Sequence, residues 1–261
     1  MQTSLDASFG ALPQIAADVL DRLRVSRPAV HCITNTVAQA FTANILLSVG
    51  ATPSMTISSD EIAAFVERCD ALLVNLGTCD AERRKAVDVA VTAAQKTQPK
   101  PWVLDPALID RSPARASFAR DLAGRRPAVV RLNRGEFHAL CDEGATPHTV
   151  AVYARDKALV VALSGASDLI TDGARRAMIS NGHPLMARVT AMGCAASALT
   201  AACLAVEPDA GRAGAAALLI FGVAGEIAAE TARGPGSFAV AIVDALFNLD
   251  AAALRQRAKV T

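Results

Sequence analysis

The sequence predicts an α/β fold: one mostly parallel central sheet with helices on both faces, in a single domain over residues 1–261. Three observations carry that expectation. Short apolar runs alternate with helical patterns, and repeated β-α units close into parallel sheets. No Pro/Gly/Ser-rich linker and no internal repeat interrupts the alternation. The helical stretches are rich in Ala, which has the best helix propensity and lets a helix lie close to a sheet.

The elements follow in order. Ala29–Ile33 is an apolar run and reads as a strand. Thr36–Val49 follows as a helix, stopped by Gly50 at the position after the C-cap. Pro53–Thr56 is a short extended run, and Ser58-Ser59-Asp60-Glu61 reads as a capping box for a helix through Cys69. Ala71–Leu76 is a strand and about 80–96 a helix. Trp102–Leu104 is a strand and Pro113–Leu122 a helix. Ala128–Leu132 is a strand and Glu136–Cys141 a short helix, and Ala158–Leu163 is the next strand. Leu169–Thr171 and Ala177–Ser180 flank Asp172-Gly173, a hairpin signal. The last third reads as three helices, about 194–206, 211–232 and 237–254.

Composition excludes several classes. Apolar residues make up 52% and charged residues 20%, so the chain is not disordered. The 26 basic residues nearly cancel the 25 acidic ones, so there is no basic excess for a nucleic acid. Six cysteines, at 32, 69, 79, 141, 194 and 203, form no C-x-x-C pair and read as thiols of a reducing compartment. Val189–Val206 carries no charge for 18 residues, which meets the length of a membrane span. Its Thr, Ser, Gly and many Ala are weakly apolar and it lacks Trp or Tyr anchors, so it reads as a buried core helix. The first ten residues hold neither a basic nor an apolar leader region, and the protein is expected to be cytoplasmic, without a membrane partner.

In open parallel sheets, ligands sit beyond the carboxyl ends of the strands. The polar residues there are Thr34-Asn35, Gly77-Thr78, Asp105, Arg131 with Asn133 and Glu136, and Ser164-Gly165. One acid, one Asn-x-x-Glu, one Arg and several hydroxyls suit a metal–polyphosphate site, since carboxylates hold Mg²⁺ or its waters and Arg pairs with phosphate. Each piece has a plainer reading: a turn at Asp105-Pro106, a helix cap at Asn133–Glu136, a surface charge at Arg131. Ala191-Met192-Gly193-Cys194 opens the uncharged helix. A helix N-terminus binds anions and would lower the pKa of Cys194, which could then act as base or nucleophile; a small buried Cys is the plainer reading. No Walker loop, G-x-S-x-G elbow, metal-spaced histidines or G-x-G-x-x-G after the first strand is found.

From about Val30 to Leu249 the chain resembles the hydroxyethylthiazole kinase family. The segments that carry the resemblance include His31-Cys32-Ile33-Thr34-Asn35, Gly50-Ala51-Thr52-Pro53-Ser54-Met55, Asn75-Leu76-Gly77-Thr78 and Leu104-Asp105-Pro106. They continue through Arg131-Leu132-Asn133-Arg134-Gly135-Glu136, Thr171-Asp172-Gly173, Gly193-Cys194 and Gly234-Pro235-Gly236-Ser237-Phe238. The resemblance implies a ribokinase-like three-layer sandwich. It also implies phosphoryl transfer from ATP to the primary alcohol of 4-methyl-5-(2-hydroxyethyl)thiazole, a step of thiamine salvage, in a homotrimer with sites between subunits. By position, Met55, Asn35 and Ala191 would meet the thiazole, and Arg131 and Ser164 would meet ATP. Asp105 and Glu136 would organise Mg²⁺. Gly193 would stabilise the moving phosphoryl group and Cys194 would stand where related kinases carry an Asp base. Two stretches depart from the family's pattern. Ala107–Ser112 lacks the glycines usual after Asp-Pro, and Ala191-Met192 replaces Gly-Thr. They leave open a shifted small-alcohol substrate, or a thiazole- or nucleotide-binding homologue without catalysis.

Overall fold

The computed structural model describes residues 8–96 and 98–261. Eight strands form one sheet among the described residues. They are β1 (Ala29–Ile33), β2 (Thr52–Ser54), β3 (Ala71–Asn75), β4 (Trp102–Asp105), β5 (Val129–Asn133), β6 (Val160–Ser164), β7 (Asp168–Thr171) and β8 (Arg176–Ile179). Their spatial order is β2-β1-β3-β4-β5-β6-β7-β8. All pairs up to β5–β6 are parallel, and β7 and β8 return antiparallel. The β7–β8 hairpin turns on Asp172-Gly173 as predicted. Asp172 Oδ1 accepts from the Ala174 and Arg175 amides, and Gly173 has φ +89°.

The strand side chains alternate between two cores, as the period of two requires. Leu73 and Val103 pack beneath α1 (Leu12–Ser26), α2 (Gln39–Ser48), α8 (Met192–Val206), α9 (Ala210–Thr231), α10 (Pro235–Asn248) and α11 (Ala251–Arg257). Leu72, Val74, Trp102 and Leu104 face α3 (Ile62–Arg68), α4 (Ala81–Ala94), α5 (Pro113–Gly124), α6 (Arg134–Cys141) and α7 (Pro147–Lys157). The predicted three layers are therefore present. In α8, every residue from Ala195 to Leu204 is buried, which explains the uncharged run. In α9, an 18-residue window reaches a mean hydropathy of 1.6, enough by length and composition to cross a membrane, yet 78% of it is buried inside the fold.

Several elements differ from the sequence reading. Helices α1 and α7 were not predicted. The first carries Leu12, Ala16, Val19, Leu20 and Leu23 on one buried stripe, and the second starts on a Thr146 cap followed by Pro147. The predicted helix over 237–254 is two helices meeting at a 114° bend, where Asp250 caps α11 through the Ala253 amide. Ser58 does not cap α3. Glu61 instead turns its carboxylate to the Thr56 hydroxyl, and no side chain caps that helix. The leader reading rests mostly on residues 1–7, which lie outside the described residues. At the far edge, residues 259–261 add a short antiparallel ladder to β8. The Met178 and Thr261 amides each donate to the other residue's carbonyl, and the Ser180 amide donates to the Lys259 carbonyl.

Candidate active site

Each strand end delivers one polar group to the same edge. Asn35 follows β1, Asn75 ends β3, Asp105 ends β4, Arg131 lies near the end of β5, and Ser164 ends β6. The N-terminus of α8 stands above them. No side chain caps α8, and its first residues, Met192 and Gly193, line a cavity of about 520 Å³. Arg131, Ser164, Gly165 and Asp168 line one wall of that cavity, and Leu218 and Phe221 of α9 part of another.

Asn75 ties the centre together. Its Nδ2 donates to Asp105 Oδ2 at 2.6 Å and to Cys194 Sγ at 3.4 Å. Its Oδ1 accepts from the Gly77 amide at 2.9 Å. Gly77 must be glycine here, because a Cβ would stand 2.7 Å from Asn35 Nδ2 and 2.9 Å from Asn75 Oδ1. Asn35 Nδ2 donates to Cys194 Sγ at 3.2 Å. One turn into α8, Ser197 Oγ donates to Asp105 Oδ2 at 2.8 Å. Arg131 is drawn over the helix start, its Nη1 donating to the Gly193 carbonyl at 3.1 Å. Among the buried polar atoms without a protein partner, three lie along this edge: Thr34 Oγ1, Asn35 Oδ1 and Arg131 Nε. Buried polar atoms are nearly always paired, so these atoms are available to a ligand or to water at the site.

The electrostatics follow from burial. Burial pushes the Asp105 carboxyl up, against the pull of Arg131, Ser197 and Asn75. Burial also raises Glu136, and the charge of Asp105 adds to it. Two acids that repel each other in a low dielectric suit a divalent cation. Glu136 serves the fold as well. Its Oε2 accepts from the Asn133 amide at 2.9 Å while Asn133 Oδ1 accepts from the Glu136 amide, a true capping box. Its Oε1 accepts from the Leu108 amide at 2.9 Å. Thus the cap and the acidic reading of Asn133–Glu136 hold together.

The expected low pKa of Cys194 is corrected. The thiol is pushed up to about 11, first by burial and then by the negative Asp105 nearby. The helix terminus and the donors from Asn35 and Asn75 do not offset desolvation, so ligand-free Cys194 is a neutral thiol.

The structure brings Asn35, Asp105, Arg131, Glu136, Gly193 and Cys194 together, with Ser164 on the same cavity wall. Ala191 is the N-cap of α8. Met55 stands apart, half-buried just beyond the edge strand β2 and not lining the cavity. Sequence reasoning left out Asn75, Ser197 and Asp168 as site residues. The signal for Asn75 was a polar residue closing an apolar strand. For Ser197 it was a hydroxyl four residues after Gly193, on the same helix face.

Residues 20–252 match the model of the hydroxyethylthiazole kinase family. A probable hydroxyethylthiazole kinase of Agrobacterium fabrum is 43% identical over 245 residues, 94% of each chain. The chain belongs to the hydroxyethylthiazole kinase family. The solved hydroxyethylthiazole kinase of Pyrococcus horikoshii superposes with a TM-score of 0.91 at 36% identity, covering 95% of this chain and 98% of that one. A ribokinase-like superfamily protein of Enterococcus faecalis shares the fold at 15% identity, with a TM-score of 0.68, covering 88% of this chain and 93% of that one. As a member of the hydroxyethylthiazole kinase family, the protein is a kinase with a ribokinase-like fold. The two stretches that the sequence reading set apart, 107–112 and 191–192, each hold a residue on left-handed backbone, Leu108 at φ +61° and Ala191 at φ +69°. Both residues carry a Cβ in a conformation that favours glycine.

Proposed function

We propose that the protein transfers the γ-phosphoryl group of ATP to the primary alcohol of 4-methyl-5-(2-hydroxyethyl)thiazole, in the cytoplasm, as a step of thiamine salvage. The observation that carries this reading is the row of groups along the sheet edge. Met55, Asn35, Asp105, Arg131 and Ser164 sit on or just after β2, β1, β4, β5 and β6, in the spatial order of the strands. The alcohol belongs at the Asn35 end, beside Cys194. The triphosphate belongs along Asp105, Arg131 and Ser164, and the nucleoside in the cavity.

Each group then has a task. Asn35, tied to Cys194 Sγ through its Nδ2, bounds the alcohol's end of the site and turns the substrate hydroxyl toward that sulfur. Arg131 and the uncapped amides at Gly193 meet the charge that gathers on the transferring oxygens. Asn75 and Ser197 fix the rotamer of Asp105. Asp105 and Glu136 would hold Mg²⁺ or its waters, Asp105 being close enough to raise Glu136. When bound, the ion would offset charge on Asp105 and on the triphosphate alike. The Cys194 thiolate would be favoured by a cation bound at Asp105, and it is the thiolate that can take the hydroxyl proton as the new O–P bond forms and the bond from the γ-phosphorus to the ADP leaving group breaks. The transition state of phosphoryl transfer is loose, so positioning and electrostatics carry most of the rate.

Purified protein with Mg²⁺, ATP and the thiazole alcohol should yield ADP and the thiazole phosphate in equal amounts. Turnover of other heteroaromatic alcohols but not this one would move the reading to a shifted substrate. Calorimetric binding of both ligands with no turnover would reduce it to a binding homologue.

A further inference from the structure

The nucleotide cavity contains a carboxylate that phosphoryl transfer does not call for. Asp168 is the first residue of β7 and the sole acid among the described residues lining the cavity. An acid beside a polyphosphate is repulsive unless it meets some other part of the ligand. Its Oδ1 is already held, accepting from the Gly165 amide at 3.0 Å. That bond closes the tight 165–167 turn and fixes the direction of the carboxylate.

The sheet order shows which part of the ligand it meets. Strands β4, β5, β6 and β7 are consecutive neighbours. The register pairs Leu104 with Val130, so Asp105 and Arg131 stand side by side. Asn133 pairs with Ser164, and Leu163 pairs with Leu169, so Ser164 and Asp168 are adjacent in turn. Neighbouring strands lie about 4.8 Å apart, which places Asp168 roughly 14 Å along the edge from Asp105. An anionic chain laid from Asp105 past Arg131 and Ser164 runs out of phosphates before it reaches Asp168. The next moiety along a nucleoside triphosphate is the sugar. An ionised carboxylate accepts hydrogen bonds and donates none, and the sugar hydroxyls are donors. The apolar wall of Leu218 and Phe221 lies in the same cavity and suits the face of the base.

We propose that Asp168 accepts hydrogen bonds from the ribose hydroxyls of the nucleotide and thereby selects ribonucleotides over deoxyribonucleotides. The inference rests on the reading of this cavity as the nucleotide site. Burial pushes the Asp168 carboxyl up, and Arg131 and the Gly165 amide pull it part of the way back toward its ionised, accepting form.

The test is calorimetric binding of ADP, 2′-deoxy-ADP and 3′-deoxy-ADP with Mg²⁺, to wild type, Asp168→Asn and Asp168→Ala. Binding is read without thiazole, so the result is independent of the alcohol substrate. At least one deoxy analogue should bind wild type about tenfold more weakly than ADP, the scale of one charge-assisted hydrogen bond. In Asp168→Ala, ADP should weaken by a similar factor and the ratio between ADP and that analogue should fall close to one. Asp168→Asn keeps an acceptor for the Gly165 amide and should fall between. Deoxy analogues that bind wild type as tightly as ADP would overturn the proposal, whether or not the variants fold. So would an equal loss for all three ligands in Asp168→Ala, which would mean that Asp168 acts through Arg131. No binding of ADP to wild type would remove the nucleotide reading itself, and this proposal with it.

Discussion

At the scale of single residues, Cys194 receives two amide donors at the start of a helix and is still a neutral thiol, pushed up to about 11. At pH 7 the ligand-free thiolate is about one part in ten thousand. Absorbance at 240 nm, taken as the difference between wild type and Cys194→Ala, should show a step near pH 11. That step should move down when Mg²⁺ and ADP are added; a ligand-free step below pH 9 would contradict the account. Cys194→Ala should lower kcat at least about tenfold and leave the ATP KM nearly unchanged, as removal of a proton-accepting group does. Ala191 makes the opposite kind of demand. Its φ of +69° costs an L-residue about 1–2 kcal/mol, partly offset by the entropy a glycine would lose on folding. Ala191→Gly should therefore raise stability to urea by up to about 1 kcal/mol.

At the scale of elements, α9 forms a wall of the cavity proposed for the nucleotide and holds the 181–188 segment against it. Gly222 permits this, since a Cβ there would stand 2.8 Å from the backbone carbonyl oxygen of Asn181. Asn181 cannot retreat, because its Nδ2 donates to Glu226 and to the Arg257 carbonyl while its Oδ1 accepts from the Lys259 amide. Gly222→Ala should cost about 1–3 kcal/mol in thermal or urea unfolding and weaken ADP binding. Gly225→Ala, which meets only the flexible Met186 side chain, should cost less. The same elements show how much the sequence revealed. The apolar strands, the Gly50 stop, the Asp172-Gly173 hairpin and the uncharged core helix were legible, because apolar runs and turn residues record local structure directly. The strand order was not, since a crossover leaves no mark in either strand. Without that order Asn75 reads as the tail of a strand rather than the hub between Asp105 and Cys194. Asp168 was hidden further. Because β7 runs against its neighbours, its beginning rather than its end reaches the ligand edge, and a search after strand ends passes over it.

At the scale of the whole molecule, Leu47 on α2 and Val240 and Phe247 on α10 leave large apolar side chains exposed on neighbouring helices. Exposed apolar groups on adjoining elements mark an association surface. The homotrimer implied by the family resemblance fits such a surface, beside the edge where Met55 lies. Sedimentation should give a trimer at micromolar concentration, and Val240→Asp with Phe247→Asp should give a smaller species. If subunits share the site, that variant should also lose turnover out of proportion to any change in melting temperature.

The ladder of residues 259–261 on β8 has a further consequence. An open strand edge offers unpaired amides and carbonyls to any passing chain, and is a standing route to aggregation. Here one margin of the sheet is capped by the protein's own backbone, and the other is a three-residue strand interrupted by Pro53. Removing residues 260 and 261, which keeps the Lys259 amide on Asn181, should leave the strand row and its chemistry in place but make the protein cloud on storage, with light scattering that grows with concentration. A protein so sealed at both margins is left to meet copies of itself through side chains rather than through hydrogen-bonded backbone.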